Sequence, residues 1–161
     1  MTLLPPEQWF ATLPTFLATT NAVITDGGGA VLLVKPNYRP YWTLPGGVLD
    51  GDEAPHQGCA REVLEELGLA IPVGRLLVVD WSAPTDIRKA FFGFVFDGGT
   101  LADPGTIRLQ AEELDEYAFT APDRVGDLLP PHIAGRVAAA LAARATGGVA
   151  YLYEGVPVSP V

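Results

Sequence analysis

The sequence predicts an α/β fold, a mixed sheet covered by helices on both faces, and three observations point there. Runs rich in β-formers alternate with two helix-like runs instead of segregating from them. The 161 residues are 48% hydrophobic and 18% charged, a globular balance in a length that suits one core better than two. No internal repeat or long linker divides the chain. The expected organisation is an N-terminal cap over 1–18, a main domain over 19–148, and a tail over 149–161 packed on or trailing from it.

In the cap, Trp9, Phe10, Leu13, Phe16 and Leu17 recur at near-helical spacing, and Pro14 interrupts them. That predicts a short or broken helix packed on the body. Asn21–Thr25 and Ala30–Lys35 flank Asp26-Gly27-Gly28-Gly29 and predict a hairpin. Tyr41–Leu44 reads as a short extended piece stopped by Pro45-Gly46-Gly47, whose glycines let backbone carbonyls approach a ligand. Residues 54–67 read as a helix with Gly68 as its C-terminal stop. Arg75–Trp81 and Arg88–Phe96 read as strands, followed by a loop over Asp97–Gly105. Ile107–Leu109 and Tyr117–Phe119 are further candidate strands, with Glu112–Glu116 as an acidic loop between them. The alanine-rich Ile133–Ala145 reads as a helix ended by Gly147-Gly148, and Val149–Tyr153 as a last strand.

Charge and cysteine count exclude several functions. The formal net charge is −9, and no cluster of cations exists to displace counterions from duplex nucleic acid. A single cysteine, Cys59, excludes an internal disulfide framework and a cysteine-based zinc site, and its position marks it as a packing residue. Residues 8–25 lack charge but are broken by Gln8, Pro14 and Asn21, so no membrane span is expected. The first cation is Lys35, so a signal-peptide n-region is missing and the expected location is the cytoplasm. No P-loop or Ser-His-Asp arrangement is visible, and His56 and His132 read as surface residues.

The acidity is concentrated. Asp50, Asp52, Glu53, Glu62, Glu65 and Glu66 face one cation, Arg61, so residues 47–69 alone carry −5. At about 100° per residue, Glu62, Glu65 and Glu66 share an arc of about 100° on one side of a helix. Ala60, Val63, Leu64 and Leu67 fall on the other side, and Arg61 lies beside the acid face. Like charges at i,i+4 repel, and a hard divalent cation with oxygen ligands would reverse that cost. A solvated acidic helix is the bland reading of such a run. Seven fixed identities in one spacing make a chance match on the order of 10⁻⁸ per window.

The pattern Gly47-x5-Glu53-x7-Arg61-Glu62-Val63-x-Glu65-Glu66-x-Gly68-Leu69 resembles the Nudix box at every fixed position, and Trp42–Gly46 resembles the family's usual run into it. The resemblance implies an α/β/α sandwich with the box as loop–helix–loop. It also implies Mg²⁺ or Mn²⁺ and hydrolysis of a nucleoside diphosphate linked to a further group X. Glu65 and Glu66 match the main metal-ligand positions, and Glu62 matches one that binds metal or acts as base. The Gly46 carbonyl matches a backbone metal ligand, Glu53 the supporting loop glutamate, and Arg61 the residue that orients glutamate. Family members often place the base in a later loop, where Glu112, Glu113 and Glu116 are the candidates and Glu113 is selected. Pro84, fifteen residues past Leu69, resembles a position marking the subset that acts on ADP-ribose. The expected partner is a nucleotide-type small molecule, with a homodimer among the states the resemblance allows.

For substrate contacts, Tyr38, Tyr41 and Trp42 offer stacking surfaces, with sheet packing as their ordinary alternative. Tyr38, Arg39, Trp42 and Arg88 are selected, the arginines as phosphate receivers. Two other functions remain in play: a nucleotide-sensing module without turnover, which would bind tightly with metal but release no product, and an interaction domain, whose melting would ignore Mg²⁺.

Overall fold

The computed structural model describes residues 4–159, so residues 1–3 of the expected cap and 160–161 of the expected tail lie outside the described residues. The elements in chain order are α1 (Pro6–Ala11), β1 (Leu17–Thr25), β2 (Val31–Pro36), β3 (Gly46–Val48), α2 (Pro55–Leu67), β4 (Leu76–Ser82), β5 (Phe91–Thr100), β6 (Leu114–Thr120), α3 (Pro131–Thr146), β7 (Ala150–Tyr153) and β8 (Val156–Pro157). The strands form one sheet in the order β6-β2-β1-β5-β4-β7-β8, with β3 paired to β1. The pairs β1–β5 and β4–β7 are parallel and the rest antiparallel, which makes the sheet mixed as expected.

Side chains alternate across a strand, and β1 feeds two cores that way. Val23 packs with Leu33, Leu77 and the α3 residues Ile133, Val137 and Ala140. Its neighbours Ala22 and Ile24 pack with Leu32 and the α2 residues Cys59, Val63 and Leu67. Helices therefore cover both faces, one core to each.

Several local expectations change. The cap helix stops at Ala11, short of Pro14, and buries none of its residues. Six residues cannot build a buried stripe, so Trp9 and Phe10 stay exposed and pack edge-on against each other at 4.9 Å. Phe16, beyond Pro14, engages the body and meets Trp81 at 5.1 Å. Gly46 and Gly47 do not end an extended piece but begin β3, opposite Asn21 and Thr20. β5 runs on through Asp97 to Thr100 because β1 continues to pair with it, Thr25 facing Thr100. Ile107–Leu109 is not a strand; Ile107 is instead buried in the α2 core. The acidic stretch becomes strand from Leu114 onward, since buried Leu114 sets the register and Glu116 lies opposite Lys35.

Gly46 is required by this geometry. Its φ is +134°, and a Cβ there would stand 2.0 Å from the Thr20 carbonyl oxygen. Gly46→Ala is expected to destabilise the fold by roughly 2–4 kcal/mol, a lowering of Tm by several degrees. A thermal melt indistinguishable from wild type would contradict the tight β1–β3 pairing.

Candidate active site

The acidic helix α2 is fixed at both ends. Pro55 opens it with a preset φ, and Gln57 Oε1 accepts from the Ala54 N–H at 2.9 Å. Gly68 closes it at φ +67°, donating its N–H to the Leu64 carbonyl. The helix is rolled relative to the sequence expectation. Leu64, assigned to the buried side, is 51% exposed, whereas Glu66, assigned to the acid face, is only 4% exposed. On the helical wheel Glu66 falls about 20° from Cys59, so a buried arc holding Cys59, Val63 and Leu67 takes Glu66 with it and leaves Leu64 outside.

Burial determines the chemistry of Glu66. Desolvation pushes its carboxyl up to about 8, against the lowering effect of the Gly46 N–H, which donates to Oε2 at 2.8 Å; Glu62 and Glu113 raise it further. Desolvation also raises Glu62, while Arg61 opposes the shift. Glu53 is held down at about 2, first by its hydrogen bonds from Arg61 and then by the Asp50 N–H.

Arg61 ties these carboxylates together. Its Nη2 and Nε donate to the two Glu53 oxygens at 2.6 and 3.1 Å. Its Nη1 donates to Glu62 at 3.0 Å and to Glu65 at 2.9 Å. Two glycines make the room: a Cβ on Gly58 would meet Glu53 Oε1 at 2.7 Å, and one on Gly47 would meet Glu62 Oε1 at 2.5 Å. Among the described residues, no three His, Cys, Asp or Glu side chains form a closed metal cluster. Arg61 holds Glu53, Glu62 and Glu65 in its place. The donor set still fits a hard divalent cation, because these ligands are oxygens and Glu66 is a buried carboxylate with no cation paired to it among the described residues.

A cleft of about 770 Å³ opens on this helix. Glu62, Glu65, Glu66 and Glu113 line its acidic part together with Gly46 and Gly47. Of the three distal glutamates, Glu113 lines the cleft; Glu112 and Glu116 are exposed and do not. Tyr38, Arg39 and Arg88 also line it. Trp42 does not, and packs against the α3 core instead, while its neighbour Tyr41 reaches the cleft. Glu53 stands behind Arg61, outside the lining, and Pro84 is exposed in the β4–β5 loop, also outside it. Buried Cys59 has its thiol pushed up to about 11 by desolvation, which suits packing.

Part of the cleft wall was not anticipated. His132, expected on the surface, is half-buried there, and burial lowers its pKa. Beside it lies Arg136, whose Nε donates to fully buried Asp80 at 2.5 Å and whose Nη2 donates to Ser82 Oγ at 3.1 Å. The Gly155 N–H donates to the other Asp80 oxygen at 3.1 Å. The sequence carried a signal for this pair. Arg136 falls on the apolar stripe of Ile133, Val137 and Ala140, and Asp80 shares the inward face of its strand with Val78.

Comparison with known proteins agrees with the box. A family model described as the NUDIX domain matches residues 15–141. A "MutT-like protein" of Streptomyces ambofaciens is 29% identical over 128 residues, 80% of this chain and 79% of that protein. A Bacillus subtilis (strain 168) protein named "Putative 8-oxo-dGTP diphosphatase" is 32% identical over half of this chain and 55% of that one. The crystal structure of the MutT protein from Methanosarcina mazei Go1 superposes with a TM-score of 0.70 at 26% identity, covering 80% of this chain and 95% of that one. The family match runs from the start of β1 into α3 and includes the whole acidic helix, so the chain belongs to the NUDIX family and is a Nudix hydrolase.

Proposed function

We propose that the protein is a Mg²⁺-dependent pyrophosphohydrolase of nucleoside diphosphates linked to a group X, working in the cytoplasm. The observation that carries this reading is Glu66, a buried carboxylate facing the cleft beside Glu62 and Glu113, with no cation paired to it among the described residues. Glu62, Glu65, Glu66 and the Gly46 carbonyl are the groups that would hold the metal. When bound, Mg²⁺ supplies neutralisation of the diphosphate charge and acidification of the attacking water.

The chain's own residues do the rest. Arg61 fixes the rotamers of Glu53, Glu62 and Glu65, so the acid face is organised before substrate arrives. Glu113 or Glu62 takes a proton from water as its oxygen bonds to phosphorus. The bridging P–O bond breaks, and the products are a nucleoside monophosphate and phosphoryl-X. Arg39 and Arg88 receive phosphate oxygens, and Tyr38 offers a stacking face.

The test offers ADP-ribose, nucleoside triphosphates including oxidised ones, nucleotide sugars and dinucleoside polyphosphates to the protein with Mg²⁺. Release of a nucleoside monophosphate, abolished by chelator, is expected. Mg²⁺ is also expected to raise Tm, since it relieves the acid cluster. Tight nucleotide binding without product would replace this reading by a sensing module.

A further inference from the structure

The wall of the cleft around Arg136 has a chemistry unlike its acidic part. Arg136 is 7% exposed, yet it lines the cleft. Two of its nitrogens are committed, Nε to Asp80 and Nη2 to Ser82. The third, Nη1, has no hydrogen-bond partner among the described residues. The guanidinium lies against β5 beside Gly93, where a Cβ would be in ordinary contact at 3.6 Å from Arg136 Cζ and 3.5 Å from the Thr19 hydroxyl. The Phe91 ring is flanked by two cations, with Arg88 at 4.6 Å and Arg136 at 5.6 Å from its centroid. Ile87, 96% exposed on the preceding loop, adds a bare apolar side chain to the rim.

The contact with Asp80 cancels the charge of Arg136, so Nη1 acts as a hydrogen-bond donor more than as an anion trap. Its neighbours Phe91 and Ile87 are apolar. A flat, uncharged group carrying an oxygen acceptor suits Nη1, Phe91 and Ile87, while Arg88 beside them stays available to phosphate. Resting on the reading of this cleft as a nucleotide site, we propose that the Arg136 wall is the nucleobase subsite. Arg136 donates there to the six-position oxygen of a purine or the four-position oxygen of a pyrimidine, which selects the keto bases guanine, hypoxanthine and uracil. Adenine and cytosine present an amino group at the matching position, so donor would face donor. Covering that donor with a group that cannot accept from it is the stronger form of discrimination.

Titration calorimetry of the metal-free wild-type protein with inosine, adenosine, uridine and cytidine monophosphates tests this without turnover. Inosine and adenosine monophosphates differ at the six-position that Arg136 would read. The keto member of each pair is expected to bind roughly tenfold tighter or more. The paired variant Asp80→Asn/Arg136→Met removes both buried charges together and is expected to bring each ratio within about twofold. Equal or tighter binding of the amino members by wild type overturns the proposal, whether or not the paired variant folds. A preference that survives in a folded paired variant overturns it too. Failure of the hydrolase reading would show separately, as absence of product in the Mg²⁺ panel.

Discussion

Glu66→Gln is expected to lower kcat/KM by about a thousandfold while raising the stability of the metal-free protein at pH 8. Both effects follow from burial. In wild type the folded state raises Glu66 from 4.5 to about 8, so across that window the folded chain holds more protons than the unfolded one. Stability of the metal-free protein therefore falls as pH rises from about 5 to 8, by roughly a few kcal/mol. Glutamine keeps the shape and the acceptor for the Gly46 N–H but cannot ionise, so that decline should vanish from the variant's melting curve. Mg²⁺ should flatten the wild-type curve and leave the variant's unchanged. Wild-type turnover in the variant would remove Glu66 from the chemistry, and a pH-independent wild-type Tm would show that its carboxyl is not strained by burial.

Arg136→Met alone is expected to cost about 3–5 kcal/mol, which is large for a chain of this size. The substitution leaves fully buried Asp80 with the Gly155 N–H as its one remaining donor among the described residues. Asp80→Asn/Arg136→Met should recover most of that loss, because neither charge then remains in the core. Urea unfolding of the two single variants and the pair gives the coupling directly. Additive losses would mean that the pair contributes nothing as a pair.

The elements that the sequence exposed were those governed by local chemistry. Gly68 and Gly147 end their helices in left-handed conformations, as their positions indicated. The carboxylates of α2 were legible from spacing because the box pattern is dense. What escaped depends on partners far along the chain. Whether Leu64 or Glu66 turns inward is decided by how α2 sits on β1, which no helical period contains. Trp42 and Tyr41 are equivalent aromatics in sequence and both pack on the α3 core, yet only Tyr41 also meets the cleft. Arg136 was hidden by an alanine-rich helix, and the contact that explains it reaches back 56 residues to Asp80.

The order of strands has a consequence for the time course of assembly. Three pieces of the sheet are local hairpins: β1–β2, β4–β5 and β7–β8. They are joined to one another by the two parallel pairings, β1–β5 and β4–β7. Hairpins close in microseconds, whereas parallel seams must first bring distant segments together. Thr19 and Gly93 face each other across the β1–β5 seam, and α2 lies in the chain between those two strands. The cleft therefore does not exist until the central seam has zipped. In a refolding experiment, amide protection of the hairpins should come early, and nucleotide binding should return with the slowest phase.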